Sequence, residues 1–153
     1  MANSIKFIHT NIVAKDWKKL AQFYIDTFNC IPYYPERYLK GEWLEHLTSI
    51  HDVSIKGIHL KLPGYQDGPT LEIFQYSPGK TPGSGMVINS KGFRHIAFHV
   101  EDIEEILALA IENGAKKYGK LVETKITGLG IIKVVYIKDP EGNIVELQNL
   151  RKP

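Results

Sequence analysis

Two histidines and two glutamates recur at matching places along this chain. His9 lies in KFIHTNIVAKD, residues 6–16, and His95 lies in GFRHIAFHVED, residues 92–102. Each is followed, at the same spacing, by an aspartate, Asp16 or Asp102. Glu72 in PTLEIFQY and Glu146 in GNIVELQ sit between apolar neighbours that alternate along an extended segment. A carboxylate in the middle of a half-buried strand is costly without a partner, and two at equivalent places in a repeat call for a common one. Two neutral imidazoles and two carboxylates balance a dication. A mixed nitrogen and oxygen set suits Zn, Ni or Co, and is also compatible with Mn or Fe, whereas Ca and Mg prefer oxygen alone. A divalent transition metal is the cofactor these residues imply.

The surrounding elements must bring those side chains to one face. After His9 and His95 the sequence alternates with period two, so His9, Asn11 and Val13 oppose Thr10, Ile12 and Ala14, and His95, Ala97 and His99 oppose Ile96, Phe98 and Val100. Asp16 and Asp102 are N-cap residues, whose carboxylates accept from the first free backbone N–H groups of a helix. Helical periodicity then runs over 17–28, with Trp17, Leu20, Ala21, Tyr24 and Phe28 on one face. It returns over 103–112, with Ile103, Ile106, Leu107, Ala110 and Ile111. Asn29 and Asn113-Gly114 suit the left-handed conformation that closes a helix. Strands are expected at 31–39, 53–62 and 70–76 in the first half, and at 117–125, 131–138 and 143–148 in the second, separated by Gly- and Pro-containing turns. Each half reads strand–helix–strand–strand–strand.

The predicted fold class is therefore α+β, a single domain over 1–153 made of two βαβββ modules. The first spans 1–77, a Gly-, Pro- and Ser-rich linker spans 78–92, and the second module spans 93–153. The segment GEWLEHLTSIHD, residues 41–52, is an insertion in the first module, read as a short helix or irregular loop.

Bulk properties narrow the function classes. The 153 residues carry a formal net charge of +2, too small to argue for nucleic acid or an anionic membrane as partner. The opening residues lack the apolar run of a signal peptide, and no stretch approaches a membrane span. A lone cysteine, Cys30, excludes an internal disulfide, fits a reducing compartment and is read as a packing residue. A cytoplasmic protein acting on a small molecule is expected.

The pieces HTNIVAKDWKKLAQFY, GPTLEIFQYSP, FRHIAFHVEDIEE and KDPEGNIVELQ, in this duplicated order, resemble the vicinal oxygen chelate superfamily. That superfamily includes glyoxalase I, methylmalonyl-CoA epimerase, extradiol dioxygenases and fosfomycin- and bleomycin-resistance proteins. The resemblance implies a curved eight-stranded mixed sheet around a metal cleft, with His9, Glu72, His95 and Glu146 as ligands, and it implies a homodimer. Glyoxalase I has a glutamate at the place of Glu72, where epimerases often have glutamine and the dioxygenases and fosfomycin-resistance enzymes have no ligand. The ligand set therefore leans towards a glyoxalase I-like lyase that isomerises a methylglyoxal hemithioacetal to a thioester through an enediolate. Glu146 or Glu72 would be the catalytic base. The alternatives are a methylmalonyl-CoA epimerase-like enzyme, an extradiol dioxygenase-like enzyme, or a protein that sequesters a drug or metabolite.

Asn11 and His99 are taken as counterparts that line the cleft. Tyr33, Tyr34, Arg37, Phe74 and Tyr136 are weaker candidates for substrate contact. His46, His51 and His59 lack a repeat partner and are read as structural or exposed.

Overall fold

The computed structural model describes residues 4–81, 85 and 87–153, so residues 82–84 and 86 of the expected linker lie outside the described residues. The first half contains β1 (His9–Val13), α1 (Trp17–Phe28), β2 (Ile31–Lys40), α2 (Glu42–Thr48), β3 (Ser54–Lys61) and β4 (Thr70–Ser77). The second contains β5 (His95–His99), α3 (Ile103–Glu112), β6 (Lys116–Ile126), β7 (Gly130–Lys138) and β8 (Ile144–Arg151). The eight strands form two four-stranded mixed sheets of the same topology, β1-β4-β3-β2 and β5-β8-β7-β6. The first strand of each module runs parallel to the last, and the remaining pairs are antiparallel. This is the expected α+β arrangement of two βαβββ modules. The chain divides into two compact units, Met1–Thr81 and Pro82–Pro153.

Local chemistry explains the helix ends. Asp16 accepts from the backbone N–H of Lys19 at 3.2 Å, and Asp102 accepts from that of Glu105 at 2.9 Å. Asn29 adopts the left-handed conformation at the end of α1, with φ 56° and ψ 31°. At the end of α3 that role passes from Asn113, whose φ is −82°, to Gly114, whose φ is +103°. Glycine occupies that region without a Cβ clash.

All five apolar residues expected on the core face of α1 are buried. In α3 only Ile103 and Ala110 are buried, while Ile106 and Leu107 are half-buried and Ile111 is 37% exposed. Tyr24, Leu20, Leu60, Leu71 and Ile73 are fully enclosed in the first unit, as are Ile103, Ile137, Ile144, Val145 and Leu147 in the second. The insertion folds as α2, whose Leu44 packs with Val53, Ile55 and Phe74 in a satellite core. The last strand runs to Arg151, beyond the expected end at 148, because Ile131 pairs with Arg151 across β7 and β8. Among the described residues no helix is long and apolar enough to cross a membrane.

Candidate metal centre

β4 is the central strand of the first module's site. It has β1 as its parallel neighbour on one side and β3 as its antiparallel neighbour on the other. Asn11 and His59 are both register partners of Glu72, so the three side chains project from one face in a row across the sheet. His9 lies two residues before Asn11 on the same face of β1. The result is a cluster around one carboxylate. Asn11 Nδ2 donates to Glu72 Oε1 at 2.8 Å, His59 Nε2 lies 2.8 Å from Oε2, and His9 Nε2 lies 3.7 Å from Oε1. The rings of His9 and His59 meet edge to face at 5.4 Å.

The second module repeats the plan on β5, β8 and β7. Glu146 pairs in register with Ala97 on one side and Tyr136 on the other. His95 Nε2 lies 3.2 Å from Glu146 Oε2, the Tyr136 hydroxyl hydrogen-bonds the same carboxylate, and the His95 and Tyr136 rings meet edge to face at 5.3 Å. Of the four side chains singled out as ligands, the fold thus brings His9 to Glu72 and His95 to Glu146, each pair within its own unit.

Two readings are corrected by this geometry. His59 is neither exposed nor without a counterpart: its side chain is 15% exposed, it joins the Glu72 cluster, and its counterpart is Tyr136. The segments KGIHL (56–60) and KVVYI (133–137) carry that signal, but the two equivalent places hold different residue types, histidine and tyrosine, so the repeat is not visible as matching histidines. Asn11 and His99 are not counterparts, since Asn11 corresponds to Ala97 and His99 pairs with Gln148. Asn11 touches the cluster directly, whereas His99 is an exposed residue further along β5. His46 and His51 are exposed as expected, each beside a glutamate of α2, Glu42 or Glu45. Of the weaker candidates, Tyr33 and Tyr34 are exposed, while Phe74 is buried with its ring 5.9 Å from that of His59.

The electrostatics follow from burial. Desolvation holds the His59 imidazole below its ordinary pKa against the opposing pull of Glu72, and the positive charges of Arg37 and His9 act in the same direction as burial. Burial pushes the Tyr136 phenol up, reinforced by the negative charge of Glu146 and by the hydrogen bond to it. A neutral imidazole is the form that ligates a metal. The ligand atoms offered by His9, His59 and Glu72 all lie within 4.8 Å of one another. Donors that share an ion at about 2.0–2.2 Å stand roughly 3–4 Å apart, so the set fits a divalent transition metal after small side-chain rotations.

Two clefts lie elsewhere, at equivalent places beside the starts of α1 and α3. The first, about 880 Å³, includes Asp16, Arg37, Lys56 and Gln75 in its lining. The second, about 420 Å³, includes Asp102, Lys133 and Asn149. It is crossed by ion pairs of its own, Arg151 with Glu123 at 2.7 Å and Lys133 with Glu104. The latter pairing holds the exposed Glu104 carboxyl below its ordinary range. Neither cleft is lined by the histidine and glutamate clusters.

Comparison with known proteins agrees with this architecture. The family model described as Glyoxalase/Bleomycin resistance protein/Dioxygenase superfamily matches residues 6–147. No curated protein matches the chain significantly. Among solved structures, a glyoxalase family protein from Bacillus cereus aligns with a TM-score of 0.74 at 17% identity, covering 98% of this chain and 95% of the other. A glyoxalase family protein from Enterococcus faecalis aligns with a TM-score of 0.58 at 23% identity, covering 95% and 97%. The fosfomycin resistance protein FosX from Listeria monocytogenes, complexed with Mn(II) and sulfate, aligns at 0.53 and 14% identity, covering 97% and 93%. At these identities the likeness is one of fold. The family model spans both modules and takes in all four residues of the duplicated histidine–glutamate pattern, and on that match the chain belongs to the Glyoxalase/Bleomycin resistance protein/Dioxygenase superfamily.

Proposed function

We propose that the protein is a metal-dependent enzyme for a small substrate with two neighbouring oxygens, acting as a glyoxalase I-like lyase on a hemithioacetal of methylglyoxal. His9 and Glu72 of the first module and His95 and Glu146 of the second are the donors in this reading. The observation that carries it is the duplicated pairing of a strand carboxylate, 12% or 14% exposed, with an imidazole nitrogen on the neighbouring parallel strand. A bound divalent metal supplies Lewis-acid polarisation of the substrate oxygens. Glu72 has Oε1 held by Asn11 and Oε2 facing His59 Nε2 at 2.8 Å, a closely surrounded carboxylate that suits a fixed ligand. Glu146 has fewer partners, His95 and the Tyr136 hydroxyl, and takes the part of the base. It removes the proton from the carbon that bears the hydroxyl and sulfur and returns it to the adjacent carbon. Tyr136 positions that carboxylate and donates to it.

The test compares metal-loaded and chelator-treated protein on methylglyoxal with a panel of thiols, on methylmalonyl-CoA and on fosfomycin. Thioester formation that disappears with chelator and returns with metal is expected. Turnover of another substrate in the panel instead would reassign the reaction. Binding of the small molecules by metal-free protein, without turnover, would make it a sequestering protein. Glu146→Gln should lower turnover by 100-fold or more, in the range of lost general-base catalysis, and should change metal content far less. Equal turnover in the Glu146→Gln and Glu72→Gln variants would remove the proton-transfer assignment.

A further inference from the structure

We infer that His59 is a metal donor, so that His9, His59 and Glu72 make the first module by itself a two-imidazole, one-carboxylate site for a divalent transition metal. This deepens the reading above and rests on it only for the presence of a metal.

Position is the first argument. His59 and Glu72 face each other directly across β3 and β4, with Nε2 and Oε2 at 2.8 Å, and His9 approaches the other oxygen of the same carboxylate from β1. One carboxylate with an imidazole at each oxygen has more ligand nitrogen around it than a single buried ion pair needs.

Orientation is the second. Ligating histidines are held through their other ring nitrogen, and ligating carboxylates through a further donor. His59 Nδ1 lies 2.9 Å from Thr70 Oγ1, and the hydroxyl can donate to that nitrogen or accept from it. When Thr70 accepts from Nδ1–H, Nε2 keeps its lone pair on the side of His9 and Glu72. Asn11 fixes Glu72 by donating to Oε1. Asn11 is the direct register partner of Glu72, and Thr70, the partner of Lys61, stands two positions along from His59 on the same face of the sheet.

The third argument is the asymmetry between modules. At the three places that matter the second module has Tyr136 for His59, Ile144 for Thr70 and Ala97 for Asn11. The strand glutamate there faces one imidazole, that of His95, and a phenol in place of the second imidazole. The extra imidazole appears only where its orienting hydroxyl and the amide on the carboxylate appear with it.

The test is a metal titration of the full chain, stripped with chelator and then titrated with Zn²⁺ against a chromophoric competitor, and separately with Co²⁺ while its visible ligand-field bands are followed. His59→Ala should weaken binding by at least 10- to 100-fold and change the Co²⁺ bands, while His46→Ala, which removes an exposed histidine of α2, should stay within threefold of the parent. His59→Gln, checked for native circular dichroism, supplies the result if the alanine variant does not fold. Thr70→Val should weaken binding by a smaller factor, as loss of an orienting partner does. Affinity within threefold of the parent and an unchanged Co²⁺ spectrum in a folded His59 variant would overturn the inference. Tight metal binding through His59 without turnover on any substrate would overturn the enzyme reading and leave this one standing. Turnover with affinity indifferent to His59 would do the reverse.

Discussion

Cys30 shows what burial alone does to a reactive group. The residue is 2% exposed beside the end of α1, and desolvation pushes its thiol from an ordinary value of 9.0 up to about 12. The thiolate is the nucleophile, so this rise lowers its population near pH 8 by roughly a thousandfold. The folded protein should therefore react with a disulfide reagent at pH 8 at least 100-fold more slowly than the urea-unfolded chain. Equal labelling rates would mean the site opens. The folded value is raised above the unfolded one, so the associated stability is full below about pH 9 and is lost as the pH climbs towards about 12. His59 is the opposite lesson at this scale. Its residue type was visible in the sequence, but its importance depends on β3 lying in register with β4, which no single-residue comparison supplies. His9, Glu72, His95 and Glu146 could be singled out because both modules keep the same residue type at each place.

At the scale of elements, periodicity was legible and register was not. The helices could be placed from capping aspartates and a 3.6-residue apolar repeat, because both signals are local. The exposure of Ile111 and the continuation of β8 to Arg151 depend on neighbours distant in sequence, and the periodic pattern is silent about them. Gly57 illustrates how tightly that register is built beside the candidate centre. It lies two residues before His59 on β3, and a Cβ there would sit 2.1 Å from the carbonyl oxygen of Ile73 and 2.5 Å from Phe74 Cδ1. The first of these neighbours is backbone and cannot rotate away, so β3 would have to move from β4. Gly57→Ala should cost about 1–3 kcal/mol, the range for overpacking a tight site, as measured by urea denaturation. It should also weaken Zn²⁺ binding, because the same displacement carries His59 from Glu72. A stability within 0.5 kcal/mol of the parent, which is roughly the scatter of a neutral surface change, would show that the sheet yields at no cost.

For the whole molecule the decisive quantity is the coupling between metal and stability. The order of the pieces along the chain was enough to expect two βαβββ modules, because the same succession of strand, capped helix and three strands occurs in both halves. It could not show that the halves surround their strand glutamates differently, with Tyr136, Ile144 and Ala97 standing where the first module has His59, Thr70 and Asn11. An ion that binds the folded chain and not the unfolded one stabilises it by RT ln(1 + [L]/Kd), about 2.7 kcal/mol at a free concentration one hundred times Kd. For a chain of this size each kcal/mol moves the midpoint by about 2–4 °C. Thermal unfolding followed by circular dichroism should therefore show a midpoint about 5–10 °C higher with saturating metal than with chelator. The midpoint should keep rising with the logarithm of free metal after the site is full, since mass action continues beyond stoichiometry. Ions caught by the exposed His46 and His51 would not behave this way, because side chains 75% and 96% exposed remain available in the unfolded chain. A midpoint indifferent to Zn²⁺, Co²⁺, Ni²⁺, Mn²⁺ and Fe²⁺ alike would mean that the imidazole and carboxylate clusters are satisfied by one another. It would remove the metal from the chemistry of this protein.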